Sequence, residues 1–218
     1  MLLEVAPESS GQDLNIVYYP FLGLLVAFGG AYAMMLRRSA LTVFVFFTSV
    51  SITLACGTER WAVKIGTDRD ADKINMTAED TTIAELSDLR PPPSPDTRQT
   101  TRFMPAEFKT FRIKGILTLI KKETDEDYHI VVQAEGDKEG TMIVESPDPK
   151  CAKGSQFLDQ IKQVRKTIDD QFGPIKRRQR PNIPVTVMGV GFYDPIHGQE
   201  GVAPNGIELH PILEISFE

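Results

Sequence analysis

The sequence contains only two cysteines, Cys56 and Cys151, among 218 residues. This number excludes a disulfide-rich scaffold and a cysteine-rich zinc site, but it allows one disulfide bond. Basic residues are also few, because 24 lysines and arginines stand against 30 aspartates and glutamates, for a formal net charge of −6. That balance argues against non-specific nucleic-acid binding by the whole chain. The hydrophobic content of 41% is typical of a folded globular protein, not of a disordered or multi-span membrane protein.

Several enzyme motifs are missing as well. The glycine-rich segment 198–206 is not followed by a predicted helix, so it does not match the phosphate-binding loops of nucleotide-binding proteins. The chain has no Gly-x-Ser-x-Gly sequence, which excludes the nucleophile elbow of the common serine hydrolases. The three histidines do not have the spacing of a known zinc motif, and no cofactor is predicted.

Long apolar runs occur only near the N-terminus. Residues 16–36 and 40–55 are apolar and flank the pair Arg37 and Arg38. As membrane spans, both would be close to the minimum length and the loop between them would be very short. This pattern therefore favours a targeting signal over two spans.

A start at Met34 or Met35 makes residues 34–55 a signal peptide. The arginine pair forms the basic region, an apolar stretch follows, and Ala55 is the small residue required before a cleavage site. Residues 1–33 are then a mis-assigned extension; the alternative is an N-terminal membrane anchor. Both alternatives predict that the remaining chain is extracytoplasmic, as a secreted, periplasmic or membrane-tethered protein.

Cys56 directly follows the predicted cleavage site, and two fates are open for it. The sequence Thr-Leu-Ala-Cys is an imperfect lipoprotein box, and lipidation would tether the protein to a membrane. Alternatively, Cys56 forms a disulfide with Cys151, which an oxidising compartment permits. Pairing the two cysteines is favoured because it leaves no lone exported thiol.

A proline-rich linker at residues 90–101 divides the predicted mature chain. The segment 56–106 contains this linker. Before the linker, alternating apolar residues predict a strand at 58–66, and a capping residue with apolar spacing predicts a helix at 77–89. Residues 107–218 form the main domain.

The main domain alternates apolar and polar residues in five predicted strands, with one helix between the third and the fourth. The helix is predicted from an apolar stripe between residues 157 and 172, with Ser155 as its cap and Gly173-Pro174 as its end. The order β-β-β-α-β-β is that of the OB-fold, a small mainly β barrel, and the alternative is an open α+β sheet. The predicted strands lie within residues 111–119, 128–134, 141–145, 184–193 and 207–217.

Three strings carry a resemblance to a known family. The chain resembles a family of exported bacterial proteins of unknown function in Cys-Gly-Thr-Glu-Arg-Trp-Ala-Val-Lys (56–64), Tyr-His-Ile-Val (128–131) and Gly-Val-Ala-Pro-Asn-Gly-Ile-Glu-Leu-His-Pro-Ile-Leu (201–213). The resemblance implies export and a shared domain. It implies no activity and no catalytic residue.

Histidines and carboxylates supply the candidate catalytic residues. His129 lies in the second predicted strand and His197 in the glycine-rich loop. His210 follows Glu208 by two residues, so both side chains point to the same face of the last strand. Such groups could bind a metal or transfer protons. The alternative is that these histidines only form structural hydrogen bonds.

Two further groups are candidate binding residues. Glu59, Arg60 and Trp61 offer an aromatic and basic surface for a phosphate or a nucleic-acid backbone, although a buried Trp with an Arg–Glu pair is commonly structural. The densest basic cluster could contact a polymer beside the barrel or anionic lipid headgroups, or it could be a solvated connection. That cluster consists of Lys176, Arg177, Arg178 and Arg180.

The sequence is compatible with three hypotheses of function. The first is an exported OB-like binding module for a polymer or a protein partner, favoured by the missing catalytic motifs. The second is a hydrolase with a His/carboxylate site, for which a phosphodiester is one candidate substrate, and the third is a structural envelope protein. Gathering of the candidate residues in space would favour the enzyme; these residues are Glu59, Arg60, His129, Asp194, His197, Glu208 and His210.

Overall fold

The computed structural model describes residues 56–57, 59–93 and 98–218. These residues belong to one compact unit. The predicted signal peptide, the alternative anchor and the proposed starts at Met34 or Met35 lie outside the described residues. Within the part of the chain that is described, no helix has the length and apolar character needed to cross a membrane.

The described residues form three α-helices and six β-strands, with single 3-10 turns at Ala71–Lys73 and Ala106–Phe108. The elements in chain order are α1 (Trp61–Lys64), β1 (Asn75–Asp80), α2 (Ile83–Ser87), β2 (Lys109–Lys122), β3 (Tyr128–Gln133), β4 (Thr141–Ser146), α3 (Leu158–Phe172), β5 (Ile183–Tyr193) and β6 (Ile207–Phe217).

Strands β2 to β6 close into a barrel. Their order around the ring is β2-β3-β4-β6-β5, and β5 pairs back to β2. Strand β2 can close the ring because it is 14 residues long: residues 110–117 pair with β5 and residues 116–122 with β3. The pair β4–β6 is parallel and the other ring pairs are antiparallel. This closed ring is the predicted OB-fold-like barrel, not the alternative open sheet.

Helix α3 lies between β4 and β5 in the chain, as predicted. Its apolar stripe is buried, with Ile161, Val164 and Ile168 at most 2% exposed. Ser155 does not occupy the cap position itself, but its hydroxyl oxygen accepts the backbone N–H of Phe157 at 2.9 Å. Gly173 ends the helix with a φ of 72°, a conformation that glycine adopts without strain.

The strand predicted at residues 58–66 is wrong, because the chain forms helix α1 there. Arg60 and Lys64 both point into the protein, where each meets carboxylates. A spacing of four residues places two side chains on the same side of a strand and also on the same side of a helix. The sequence pattern therefore does not separate the two structures over so short a segment.

The helix predicted at residues 77–89 is also wrong in its first half. Residues 75–80 form β1, which lies outside the ring and pairs in parallel with the start of β2. The helix begins only after Thr82, whose hydroxyl accepts the N–H of Glu85 while the Glu85 carboxylate accepts the N–H of Thr82. Pairing with β2 overrides the weak local helix signal of residues 77–80.

The segment before the barrel is fastened to it by side-chain hydrogen bonds to backbone carbonyls. Arg60 joins the end of the linker to the barrel, because it donates to the carbonyls of Thr101 at 3.0 Å and of Tyr193 at 2.9 Å, and the hydroxyl of Tyr193 donates to the carbonyl of Arg90 at 3.3 Å. The amide of Asn205 donates to two carbonyls at the end of α2, at 2.8 and 2.9 Å. Both ends of the predicted linker are thus held against the barrel.

Candidate functional site

A cleft of about 460 Å³ opens between α1, the turn after β2 and the loop between β5 and β6. Its walls are dominated by charged side chains, with six carboxylates and one ammonium group. The lining residues are Glu59, Lys64, Glu123, Thr124, Asp125, His129, Ile143, Glu145, Asp194, Pro195, His197, Gln199 and Glu208.

Most of the residues that the sequence singled out for catalysis meet at this cleft. His210 does not line it, but its Nδ1 atom lies 3.4 Å from Glu208 Oε1, so it stands directly behind the wall. Arg60 lies outside the lining. The candidates that line the cleft are Glu59, His129, Asp194, His197 and Glu208.

Glu145 is the centre of the site, although its sequence pattern did not indicate a functional residue. Its Oε1 atom lies 2.9 Å from His129 Nδ1, and its Oε2 atom lies 3.2 Å from His210 Nδ1 and 4.0 Å from Lys64 Nζ. Burial alone would raise the pKa of Glu145, but the two histidines and Lys64 hold it well below its usual range. In the β3–β4 hairpin, Glu145 lies directly opposite His129. Pairing the residues of the two predicted strands outward from their turn could have revealed this contact.

His129 is held at both ring nitrogens. Its Nδ1 atom faces the Glu145 carboxylate, and Nε2 lies 3.0 Å from the carbonyl oxygen of Glu200. Both partners are acceptors, so both contacts are satisfied only when the ring carries two protons. Burial alone would lower the pKa of His129, but the hydrogen bond to Glu145 outweighs it and the net shift is upward.

His210 is fully buried among three carboxylates. Besides its contacts to Glu145 and Glu208, its Nε2 atom lies 3.6 Å from Asp127 Oδ2. None of these contacts has hydrogen-bond alignment. Among the described residues, both His210 nitrogens, Asp127 Oδ2 and Glu208 Oε1 have no hydrogen-bond partner. Buried polar atoms are rarely left in this state, and exceptions mark catalytic groups, waters or ions.

The pKa values of this buried group shift strongly. Burial opposes the charging of His210, but Glu145 and Glu208 raise its pKa to about 9. Burial raises the pKa of Asp127 to about 7 against the effect of His210. Burial, together with the charges of Glu145 and Asp194, raises the pKa of Glu208 to about 7. The protein therefore holds protons on this cluster that exposed side chains would release.

Lys64 provides a fixed positive charge in the cleft. Its Nζ atom lies 3.3 Å from Asp194 Oδ1, and the residue is 8% exposed. Burial alone would lower the pKa of Lys64, but Glu208, Glu145 and Asp194 outweigh it and the net shift is upward. This ammonium group is therefore charged at any physiological pH.

His197 lies on the exposed side of the cleft. Its Nε2 atom is 3.7 Å from Asp194 Oδ2, and its side chain is 64% exposed. Its backbone N–H donates to Gln199 Oε1 at 2.8 Å, while the Gln199 amide donates to Asp194 Oδ2 and to the Pro195 carbonyl. The loop is thus ordered by its own side chains, and His197 is free to face a ligand.

The proposed aromatic and basic surface at residues 59–61 is divided in the structure. Glu59 is exposed and lines the cleft. Arg60 is 2% exposed and its guanidinium binds the Glu107 carboxylate, which agrees with the structural alternative for an Arg–Glu pair. Trp61 is half-buried and packs against an apolar cluster that includes Phe157 and Ile161.

The basic cluster is exposed, and Glu200 links it to His129 of the cleft. Arg178 and Arg180 form ion pairs of 2.9 and 2.8 Å with the Glu200 carboxylate. The carbonyl of Glu200 is the group that His129 contacts. Lys176 and Arg177, also exposed, form no ion pair with any described residue.

Cys56 and Cys151 form a disulfide, as their pairing in the sequence analysis predicted. The bond joins the chain just before α1 to the segment just after β4, and α1 and β4 supply Lys64 and Glu145 to the cleft. Because its sulfur is in this bond, Cys56 has no thiol free for the alternative of lipidation.

One set of side chains could hold a metal ion. Ligand atoms of Asp127, Glu145 and His210 all lie within 4.8 Å of one another. Carboxylate oxygens and an imidazole nitrogen are donors that divalent transition metals accept.

No protein-family model matches the chain, and no curated protein matches it in sequence. The chemistry of the cleft is therefore the basis for a proposal of function.

Proposed function

We propose that the protein is an exported hydrolase that cleaves peptides in the acidic cleft. The main observation behind this proposal is the Glu208 carboxylate, which is 3% exposed and lines the cleft. Its Oε1 atom has no hydrogen-bond partner among the described residues. A buried carboxylate oxygen without an aligned hydrogen bond destabilises the fold, so a catalytic role explains why it is there. This proposal favours the enzyme over the module that only binds.

The cleft holds the two groups that amide hydrolysis needs. Glu208 accepts a proton from water as the water oxygen attacks the carbonyl carbon of the substrate. The Lys64 ammonium stabilises the negative charge that develops on the carbonyl oxygen. Glu208 then passes the proton to the amide nitrogen as the C–N bond breaks, which leaves a carboxylic acid and an amine; the acid proton then moves to the amine, so that the products are a carboxylate and an ammonium group.

The charge of the cleft favours a cationic substrate. Six carboxylates outnumber the two cationic groups of the cleft, the Lys64 ammonium and the His129 ring, so a polyanion such as a nucleic acid is repelled. This argues against the phosphodiester as substrate, while a basic side chain of a peptide would be attracted.

An apolar hollow continues the cleft on one side. It has a volume of about 340 Å³, and Asp194 and Pro195 belong to both the hollow and the cleft. Ile196, 56% exposed, also lines it. Apolar side chains of an extended peptide fit such a surface, next to the charged cleft. The other residues around the hollow are Pro91, Pro92, Tyr193, Pro204 and Asn205.

The same groove supports a second candidate, a module that binds an extended peptide and does not cleave it. The continuity of the hollow and the cleft favours the binding module as much as the hydrolase, since both functions require a groove that binds an extended chain. The two candidates differ only in turnover.

We also propose that the mature chain is extracytoplasmic, after cleavage of a signal peptide at residues 34–55. The disulfide Cys56–Cys151 supports this localisation, because such bonds persist in oxidising compartments. It also makes a lipid tether at Cys56 the less favoured alternative.

The test uses the exported protein, purified with its disulfide intact, and a set of peptides that differ in the number of lysines and arginines. We expect cleavage products by mass spectrometry, mainly from basic peptides. Glu208→Gln should lower the rate by about 100-fold or more, which is the usual contribution of a proton-transfer group. Glu59→Gln is the matched control, because Glu59 lines the same cleft but is exposed, and its rate should change little.

Saturable binding of basic peptides without cleavage would favour the binding module over the hydrolase. If the protein neither cleaves nor binds these peptides, both candidates are contradicted. Equal loss of rate in Glu208→Gln and Glu59→Gln would contradict the role assigned to Glu208.

A further inference from the structure

We propose that Asp127, Glu145 and His210 form a binding site for a divalent transition metal, Zn²⁺ or Mn²⁺. Their ligand atoms lie within 4.8 Å of one another, and Glu145 is the member of the three that lines the cleft. This proposal goes beyond the peptide hydrolase, because the metal can be measured without any substrate.

The unpartnered atoms of His210 are the independent observation that points to a ligand. The residue is 0% exposed, and neither ring nitrogen has a hydrogen-bond partner among the described residues. Leaving a buried polar atom unsatisfied destabilises a protein. A metal ion would use the lone pair of one nitrogen, and the N–H of the other would face a carboxylate, as in other metal-bound histidines.

Each carboxylate of the site has one oxygen held by a hydrogen bond, while its other oxygen faces His210. Asp127 Oδ1 accepts the backbone N–H of Asp148 at 3.3 Å, while Oδ2 has no partner among the described residues. Glu145 Oε1 is held by His129 at 2.9 Å, while Oε2 points toward His210. This division of roles within a carboxylate is what orients a metal ligand.

The charge of the three residues suits a divalent cation. Two carboxylates and a neutral imidazole carry two negative charges, which one divalent ion balances. The Lys64 ammonium does not balance both charges, because it lies nearer to Asp194, at 3.3 Å, than to Glu145 Oε2, at 4.0 Å.

The donor atoms decide which metals fit. One nitrogen and two oxygens suit Zn²⁺ and Mn²⁺, whereas Ca²⁺ needs six to eight oxygen ligands and soft ions prefer sulfur. Glu145 and Glu208 line the cleft, so an ion that enters past Glu145 would have its open coordination positions on the cleft side.

The first experiment measures metal binding to the exported protein after treatment with a chelator. Calorimetric titration with Zn²⁺ and Mn²⁺ should give one site per chain, and Ca²⁺ at the same concentration should give none. Glu145→Gln should weaken binding at least tenfold. Glu59→Gln, which alters an exposed carboxylate of the same cleft, should leave binding unchanged. The absence of stoichiometric binding, or equal effects of the two variants, would overturn the proposal.

A second measurement does not depend on whether a variant folds. Pulsed electron paramagnetic resonance of the wild-type Mn²⁺ complex should show coupling to one imidazole nitrogen, which His210 alone supplies in the proposed set. A spectrum without nitrogen coupling would overturn the site. Since no peptide is present in either experiment, failure of the metal site and failure of the peptide hydrolase are distinguished.

Discussion

Arg60 and Glu107 form an ion pair with two parallel hydrogen bonds of 2.7 Å each, and neither side chain is exposed. The guanidinium also donates to the carbonyls of Tyr193 at 2.9 Å and Thr101 at 3.0 Å. The Glu107 carboxylate accepts the N–H groups of Phe103 and Tyr193. One buried pair therefore ties the start of α1, the end of the linker and the last residue of β5 together, close to the loop that forms the cleft.

Breaking this pair should strongly destabilise the fold. Glu107→Gln leaves the buried Arg60 charge without its counter-ion, and we expect a loss of about 3–5 kcal/mol in the free energy of unfolding. Chemical denaturation measures the loss. The control is Glu79→Gln, which removes an exposed pair with Lys109 and should cost less than about 1 kcal/mol. Similar small losses in both variants would contradict a structural role of the buried pair.

The disulfide should be present in the exported protein and should contribute substantially to its stability. The bond spans 95 residues of sequence, and closing such a loop stabilises the fold by about 4–5 kcal/mol in the chain-entropy model. We expect Cys151→Ser to lose a comparable amount by chemical denaturation. The intact mass should match a chain that begins at Cys56, with no thiol reactive until a reductant is added. Two reactive thiols in the unreduced protein would contradict this prediction, and a lipid-sized mass increase would indicate the tether.

The barrel was predictable because its strands alternate apolar and polar residues over long runs, and α3 because its apolar stripe covers four turns. The wrong predictions fall before β2, where a segment such as 60–64 is too short for its period to be decided. Glu145 was missed for a different reason. In β4 it follows a run of buried residues, and only the pairing with His129 across the hairpin shows that it belongs to the cluster.

Gly201 should be needed to hold the loop that faces His129. Its φ is 86°, and a Cβ atom added there would meet Val131 Cγ2 at 2.4 Å. We expect Gly201→Ala to destabilise the protein by about 1–3 kcal/mol through this clash in addition to backbone strain. Gly198→Ala is the matched control, since its φ is 92° and no atom lies within 4 Å of an added Cβ. Thermal melts should show a clearly larger loss for Gly201→Ala; equal losses would mean that backbone strain alone decides.

Substitution of His210 should affect stability much more than substitution of His197. His210 is 0% exposed and stands among three carboxylates, whereas the His197 side chain is 64% exposed. In metal-free protein, His210→Ala removes the cation between these carboxylates, and we expect a loss of about 3–5 kcal/mol. His197→Ala should stay within about 0.5 kcal/mol of the wild type, as exposed substitutions usually do.

Denaturation in the presence of a chelator checks both values. A His210→Ala protein as stable as His197→Ala would show that the buried carboxylates do not need the imidazole. The metal-free cluster would then be balanced by protons on Asp127 and Glu208, whose pKa values burial raises to about 7. A large loss of stability in His210→Ala, but not in His197→Ala, would mean instead that the His210 imidazolium is the counter-ion of Glu145, the carboxylate at the centre of the site.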